Sequence, residues 1–236
     1  MAGRVREGMA TRAKIIAEAE RLFGERGIDR TSTRDLARAA GVNQAATYYH
    51  FGSKKELVRA ILRMRADEVR ARRRKLLEAI GHPDPSAREI AEAMVRATYD
   101  MGEAYMRFIV AACDNPVYLR LATEEFRDAS IELLESAKSA LAHLPADVAV
   151  LRFGAAQVLT NQLLGRWRNW LEPWARELHP SNGTDYIEFL IDFIAGALSS
   201  PHEERMTGSG GADAVDPAGT ERTRPRRAKA ALRPRR

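Results

Sequence analysis

From Thr11 to Ser199 apolar side chains return every three to four residues, the period of an amphipathic helix, and no stretch alternates as a half-buried strand would. The first segment places Ile15, Ile16, Ala19, Leu22 and Phe23 on one face, with Arg12, Lys14, Glu18 and Glu20 around the rest. Gly24 and Gly27 then offer positions where the chain can leave the helix. Next, Thr31-Ser32-Thr33 supplies capping hydroxyls for a helix of about two turns, with Leu36 and Ala40 as a small apolar face and Gly41 as its end. After the turn Gly41-Val42-Asn43, a second short helix is predicted from Gln44 to His50. Two short helices joined by a glycine-containing turn and backed by a longer one describe a helix-turn-helix. Composition alone leaves an ordinary helical hairpin open.

Ser53 caps a long helix with Lys54, Lys55 and Glu56 in its first turn and Leu57, Ile61, Leu62, Met64, Val69, Leu76 and Leu77 beyond, ending near Ile80. Gly81-His82-Pro83-Asp84-Pro85 breaks it, and Ser86 opens a helical region to about Ala112, stopped by Asp114-Asn115-Pro116. A helix from Pro116 to about Leu144 follows, carrying Leu119, Phe126, Ile131, Leu133, Leu134 and Leu141. Pro145 opens another to about Leu171, where Pro173 ends or kinks it, and the turn Ser181-Asn182-Gly183-Thr184 precedes a last helix to Leu198. The sum is an all-α chain of about nine helices. From Ser199 onward Thr207-Gly208-Ser209-Gly210-Gly211-Ala212 and an Arg-, Pro- and Ala-rich end hold no core-forming residues, which reads as a disordered tail.

Charge divides the chain further. Residues 1–65 hold 14 Lys and Arg against 7 Asp and Glu, residues 66–220 hold 16 against 24, and residues 221–236 hold 8 against 1. A polyanion is attracted to the two ends and repelled by the middle. No apolar run approaches the ~20 residues that cross a bilayer, and no apolar segment follows Arg4 and Arg6 as in an export signal. Cys113 is the single cysteine, so no internal disulfide is expected, consistent with a reducing cytoplasm.

The run from Gly41 through Gln44-Ala45-Ala46-Thr47-Tyr48-Tyr49-His50-Phe51-Gly52-Ser53-Lys54-Lys55-Glu56-Leu57 resembles the recognition helix and following turn of the TetR family of transcriptional regulators. The resemblance extends back through Ala37-Arg38-Ala39-Ala40, Leu36, Thr33, Gly27 and Leu22-Phe23, and covers about residues 11–60. It implies a DNA-binding regulator, not an enzyme, with a helix-turn-helix domain over 1–56, a helical effector-binding and dimerisation domain over 57–199, and the basic tail over 200–236. Such a helix enters the major groove with its N-terminal residues at base edges. That places Gln44, Ala45 and Ala46 at the bases, with Asn43 beside them. Gln can contact adenine through two hydrogen bonds, and an alanine methyl can pack on a thymine methyl. Thr33, Tyr49, His50 and Lys54 match positions that contact phosphates, and Tyr48 one that supports the helix or touches the backbone. Thr47 departs from the family, which has Leu, Ile or Val there; its hydroxyl needs a partner.

The resemblance also implies a homodimer built from the last two helices. Tyr186, Phe189, Leu190, Phe193, Ile194 and Ala197 form a suitable stripe, which could equally be buried within one subunit. A two-fold dimer calls for an inverted-repeat operator on double-stranded DNA. An effector pocket is expected in the central helices, with Tyr99, Tyr105, Phe108, Phe126, Asn161 and Trp167 as main candidates and Met101, Met106, Cys113, Gln157, Gln162 and Trp170 beside them. The wording from Asn43 to Lys54 resembles regulators that answer to fatty acids or their thioesters and some efflux regulators, which implies a small hydrophobic, fatty-acid-like effector. Repression is the family's usual mode. No cofactor or metal is expected, because the five histidines are scattered and no Gly-rich phosphate loop follows a strand. Two other classes can be set against this reading: an enzyme using Cys113 and His143, and a nonspecific architectural DNA binder. Neither residue has a catalytic context, and the acidic, apolar middle argues against the second.

Overall fold

Helix α1 (Ala2–Arg26) buries Ile15, Ile16, Ala19, Leu22 and Phe23, the face that their spacing assigns. In the computed structural model, the backbone is described for residues 2–170 and 185–202 and the side chains for 6–166 and 185–202. The helix starts earlier than Thr11, and most of residues 6–10 are exposed. A helix nucleated by its packed part propagates into exposed residues at little cost, and no apolar pattern records that extension. Gly24, expected as an exit, lies inside α1. A Cβ at that position would stand 2.8 Å from the Cβ of Arg107 and 3.1 Å from the backbone nitrogen of Phe108, so its role is close approach and the chain leaves at Gly27. Phe23 and Phe108 stack beside it with ring centres 6.2 Å apart.

Helices α2 (Thr33–Ala39) and α3 (Gln44–Phe51) follow, and α4 (Lys54–Glu78) closes the N-terminal unit with Leu57, Val58, Ile61 and Leu62. α4 then continues into the body, burying Ala66, Val69 and Arg73. α5 (Ala87–Tyr99) buries Ile90, Ala91, Ala93, Met94, Val95, Ala97 and Thr98, more than one face of a helix, because other helices surround it. The region expected as one helix from Ser86 to Ala112 is two. A polar turn at Asp100-Met101-Gly102 ends α5, and α6 (Glu103–Cys113) packs against α1 and α9.

The helix expected from Pro116 to Leu144 is also divided, into α7 (Pro116–Glu125) and α8 (Arg127–Ser136), with turns beyond. No glycine or proline marks this break; α4 packs on both pieces and its arginines hold both. Arg59 and Arg63 pair with Glu125 of α7, while Arg70 and Arg74 pair with Glu132 of α8. α9 (Ala146–Trp170) and α10 (Tyr186–Ser199) complete the described chain, α10 laying Ile187, Leu190, Ile191, Ile194 and Leu198 onto α5 and α9. Among the described residues there are ten α-helices and no strand, and no helix is long and apolar enough to cross a membrane. The expected turn at Ser181–Thr184, Pro173 and the tail from residue 203 lie outside the described residues.

Candidate nucleic-acid interface

The two short helices are defined by their caps. Ser32 Oγ accepts from the backbone N–H of Asp35 at 3.1 Å, and the Ser32 N–H donates to the Asp35 carboxylate at 3.3 Å, a reciprocal capping box that starts α2. The Ser32 hydroxyl, then its backbone, holds the Asp35 carboxyl below the ordinary carboxylate range. Gly41, at φ +64°, turns the chain out of α2 in a conformation that side chains disfavour. Asn43 Oδ1 then accepts from the Ala45 N–H at 2.8 Å. Asn43, expected at the bases, thus commits its side-chain oxygen to capping α3. At the far end Gly52 stops α3, and Ser53 caps α4 by accepting from the Glu56 N–H at 3.1 Å.

Between these caps α3 turns Thr47 and Phe51 inward and leaves Gln44, Ala45, Tyr48 and Tyr49 exposed; Tyr49 is 86% exposed. Ala46, His50 and Thr33 are half-buried. Gln44 Nε2 donates a long, weak bond of 3.5 Å to Thr33 Oγ1, so the amide is free to exchange partners. Tyr49 meets the edge of His50 at 5.2 Å, and the Arg12 guanidinium of α1 sits 5.3 Å from the centre of the Phe51 ring, bracing the helix from behind. A short helix with a polar and aromatic outer face and a buried inner one has the form that a DNA groove accepts. The Thr47 hydroxyl is buried without a hydrogen-bond partner.

Lys54 needs correction as a free phosphate contact. Its ammonium donates to the carbonyls of Ile28, Asp29 and Thr31 at 3.0, 3.4 and 3.3 Å. It clamps the connection between α1 and α2, and an ammonium has three protons to give. Lys55 and Arg34, exposed one position after Lys54 and Thr33, are cations that the motif match passed over. The signal available for them was only charge in the first turns of α4 and α2.

The effector candidates separate. An open cleft of about 450 Å³ lies where the ends of α5 and α6 meet α9 and α10, and Tyr99, Met106, Leu164 and Tyr186 help line it. Of the main candidates whose side chains are described, only Tyr99 is there. Tyr105 and Phe108 are instead fully buried core, Phe108 against Phe23. Phe126 packs on the core and Asn161 is half-buried, both away from the cleft lining. The side chains of Trp167 and Trp170 lie outside the described ones. The expected dimer stripe divides as well. Leu190 and Ile194 are fully buried within the subunit, whereas Phe189 and Phe193 are 50% and 49% exposed and stack at 6.3 Å, with Tyr186 stacked on Phe189. The two sets lie on different sides of α10, because the six-residue stripe spans more of the helix than one interface can cover.

Chemistry for the enzyme alternative is not assembled. Burial, then Asp114, raises the Cys113 thiol above its ordinary range, the reverse of an activated nucleophile, and the His143 ring nitrogen faces the Ser200 carbonyl at 3.3 Å. Among the described residues no group of three or more His, Cys, Asp or Glu could hold a metal ion.

The family model for bacterial regulatory proteins of the tetR family matches residues 15–61. The HTH-type transcriptional regulator TtgR of Pseudomonas putida is 52% identical over 56 residues, 24% of this chain and 27% of its own length. The HTH-type transcriptional regulator AcrR of Shigella flexneri is 26% identical over 196 residues, 79% of this chain and 90% of its own. Among solved structures, the TetR family transcriptional regulator PfmR of Thermus thermophilus superimposes with a TM-score of 0.56 at 25% identity, over 80% of this chain and 99% of its own. The family match thus spans α2 and α3, and the helical likeness runs through the body: residues 15–61 match the tetR family of bacterial regulatory proteins, and the chain is similar over most of its length to transcriptional regulators of that family.

Proposed function

We propose that the chain is a homodimeric repressor that holds a palindromic operator through α3 and is released by a small hydrophobic effector. The observation that carries this is the exposed face of α3, in which Gln44, Ala45, Tyr48 and Tyr49 stand out while Thr47 and Phe51 anchor the helix. In this reading Gln44 reads adenine and Ala45 and Ala46 contact thymine methyls, while Tyr49, His50 and Thr33 meet phosphates and Tyr48 supports them. Dimerisation is supported by an apolar surface on the last two helices. Phe189 and Phe193 of α10 are exposed, and α9 exposes Leu151, Gly154, Ala155 and Val158 at helical spacing. The cleft beside Tyr99 and Met106 supports an effector site in the central helices; Met106, Leu164 and Ile187 give it apolar wall and Asp100, Glu103 and Asp185 acidic wall, so the fatty-acid-like class rests on the sequence resemblance alone. The site of action is the cytoplasm, where the operator is.

Footprinting on genomic fragments tests the proposal. A protected inverted repeat is the expected result, and Gln44→Ala is expected to weaken operator binding by ~1–3 kcal/mol and relax the preference at one position in each half-site. Uniform coating of all fragments, or no protection, overturns it.

A further inference from the structure

α4 carries seven arginines, and six of them find a carboxylate. Arg59 and Arg63 meet Glu125, Arg65 meets Glu20 and Glu68, Arg72 meets Glu68, and Arg70 and Arg74 share Glu132. The seventh, Arg73, is the most buried, at 4% exposure, and among the described residues no carboxylate lies within ion-pair distance of it. One hydrogen bond is present, from Nη1 to the Ala129 carbonyl at 3.5 Å, and Nε has no partner. A guanidinium offers five N–H donors in a fixed fork, so most of this one's capacity is unused in a setting where an unpaired charge is expensive. Burial lowers its pKa to about 10, which still leaves it charged at neutral pH.

Arg73 lines a cavity of about 120 Å³ between α4 and α8. By the same measure a single water needs roughly 10–15 Å³, so the space admits a small organic molecule. Leu77, Ala129 and Leu133 give it apolar walls, and the partly exposed Arg70 and Arg74 open it to solvent. Its charged lining is Arg70, Arg73 and Arg74 against Glu78 and Glu132, which leaves one positive charge over. That balance suits a single negative charge and disfavours a dianion.

We propose that this cavity is a binding site for a small monocarboxylate, whose two oxygens take the forked donors of Arg73 while its short apolar remainder lies against Leu77 and Leu133. The geometry matches: a carboxylate accepts two parallel N–H bonds from a guanidinium, and such charge-assisted pairs are the strong ones. The site stands on its own residues and is separate from the cleft beside Tyr99, so it does not depend on operator recognition.

Isothermal titration calorimetry on the full chain decides it, with sodium butyrate as the probe and butyramide, sodium phosphate and sodium chloride compared at matched ionic strength. Butyrate is expected to bind saturably, one per chain, with the neutral amide and phosphate each at least about tenfold weaker. Arg73→Met, which keeps the volume and removes the charge, is expected to lose butyrate binding by at least about tenfold. Absence of saturable butyrate binding, equal binding of butyramide, preference for phosphate, or unchanged affinity in Arg73→Met each overturns the proposal. Should Arg73→Met fail to fold by circular dichroism, Arg73→Lys decides: it keeps the charge without the fork and is expected to bind several-fold more weakly, so an unchanged affinity overturns the assignment. Operator affinity without butyrate, measured on the same preparation, tests the regulatory reading separately.

Discussion

Glu20 of α1 and Arg65 of α4 make the most consequential ion pair described, and its two members are not equivalent. The Glu20 side chain is 3% exposed and Arg65 21%. Arg65 Nε donates to Glu20 at 2.8 Å, Nη2 donates to the other carboxylate oxygen, and Nη1 donates to Glu68 at 2.7 Å. Replacing Arg65 by Met leaves the Glu20 carboxylate buried and without a cation, a loss of the ~3–5 kcal/mol found when one partner of a buried pair is removed. Replacing Glu20 by Gln leaves Arg65 a partner in Glu68 and an amide oxygen for Nε, while the amide nitrogen cannot accept from Nη2, so one of the two bonds goes and no buried charge is stranded, a loss of about 1–2 kcal/mol. The predicted order is therefore Arg65→Met well below Glu20→Gln, with melting temperatures depressed by roughly 6–20 °C and 2–8 °C for a chain of this size. Urea unfolding followed by circular dichroism measures both, at fixed protomer concentration because a dimer's stability depends on it. Equal losses, or a loss below ~1 kcal/mol for Arg65→Met, refute the claim that Glu20 relies on this arginine alone.

Three other substitutions probe the N-terminal unit. Thr47→Val removes a buried hydroxyl that has no partner while keeping the shape, and is expected to raise stability by ~1 kcal/mol in the same urea assay without moving operator preference; a loss would show that the hydroxyl is satisfied. Gly24→Ala forces α1 off α6 and is expected to destabilise by ~1–3 kcal/mol, more than the ~1 kcal/mol that alanine adds in helix preference, so a stabilised variant would refute the close approach. Lys54→Met is expected to lose ~1–3 kcal/mol of stability and to weaken operator and random DNA alike, whereas Lys55→Ala should leave stability intact and flatten the salt dependence by about one phosphate contact; a fully stable Lys54→Met refutes the clamp.

Much of this architecture was legible because it is local. Ser32 and Ser53 cap helices where their spacing from the apolar positions requires, and the core face of α1 is the one that its period gives. The break at Phe126 was not legible, since no residue there disfavours a helix and the cause is α4 lying against two segments at once. The site follows the same division. The outward turn of Tyr48 and Tyr49 follows from the inward turn of Thr47 and Phe51, two facts about one short helix. The engagement of Lys54 depends on carbonyls 23 to 26 residues away and has no local trace.

The arginines of α4 show why long-range pairing escapes a periodic reading. On the helix Arg59, Arg63, Arg65, Arg70, Arg72, Arg73 and Arg74 look like one class, the polar complement of Leu57, Ile61, Leu62 and Val69. The fold gives them different partners. Arg63 and Arg70 reach carboxylates on helices about sixty residues later, and their exposure keeps each pair weak. Arg65 goes to a carboxylate of α1 that is nearly inaccessible, where the pair is less screened by salt and the penalty for losing it is large. Arg73 goes inside without one. A position that apolar periodicity would fill with leucine is held by the side chain whose burial is most costly, and packing alone gives no reason for that choice. A charged guest beside Ala129 does give one, since it turns the liability of a buried, unpaired guanidinium into selectivity for the molecule that completes its hydrogen bonds.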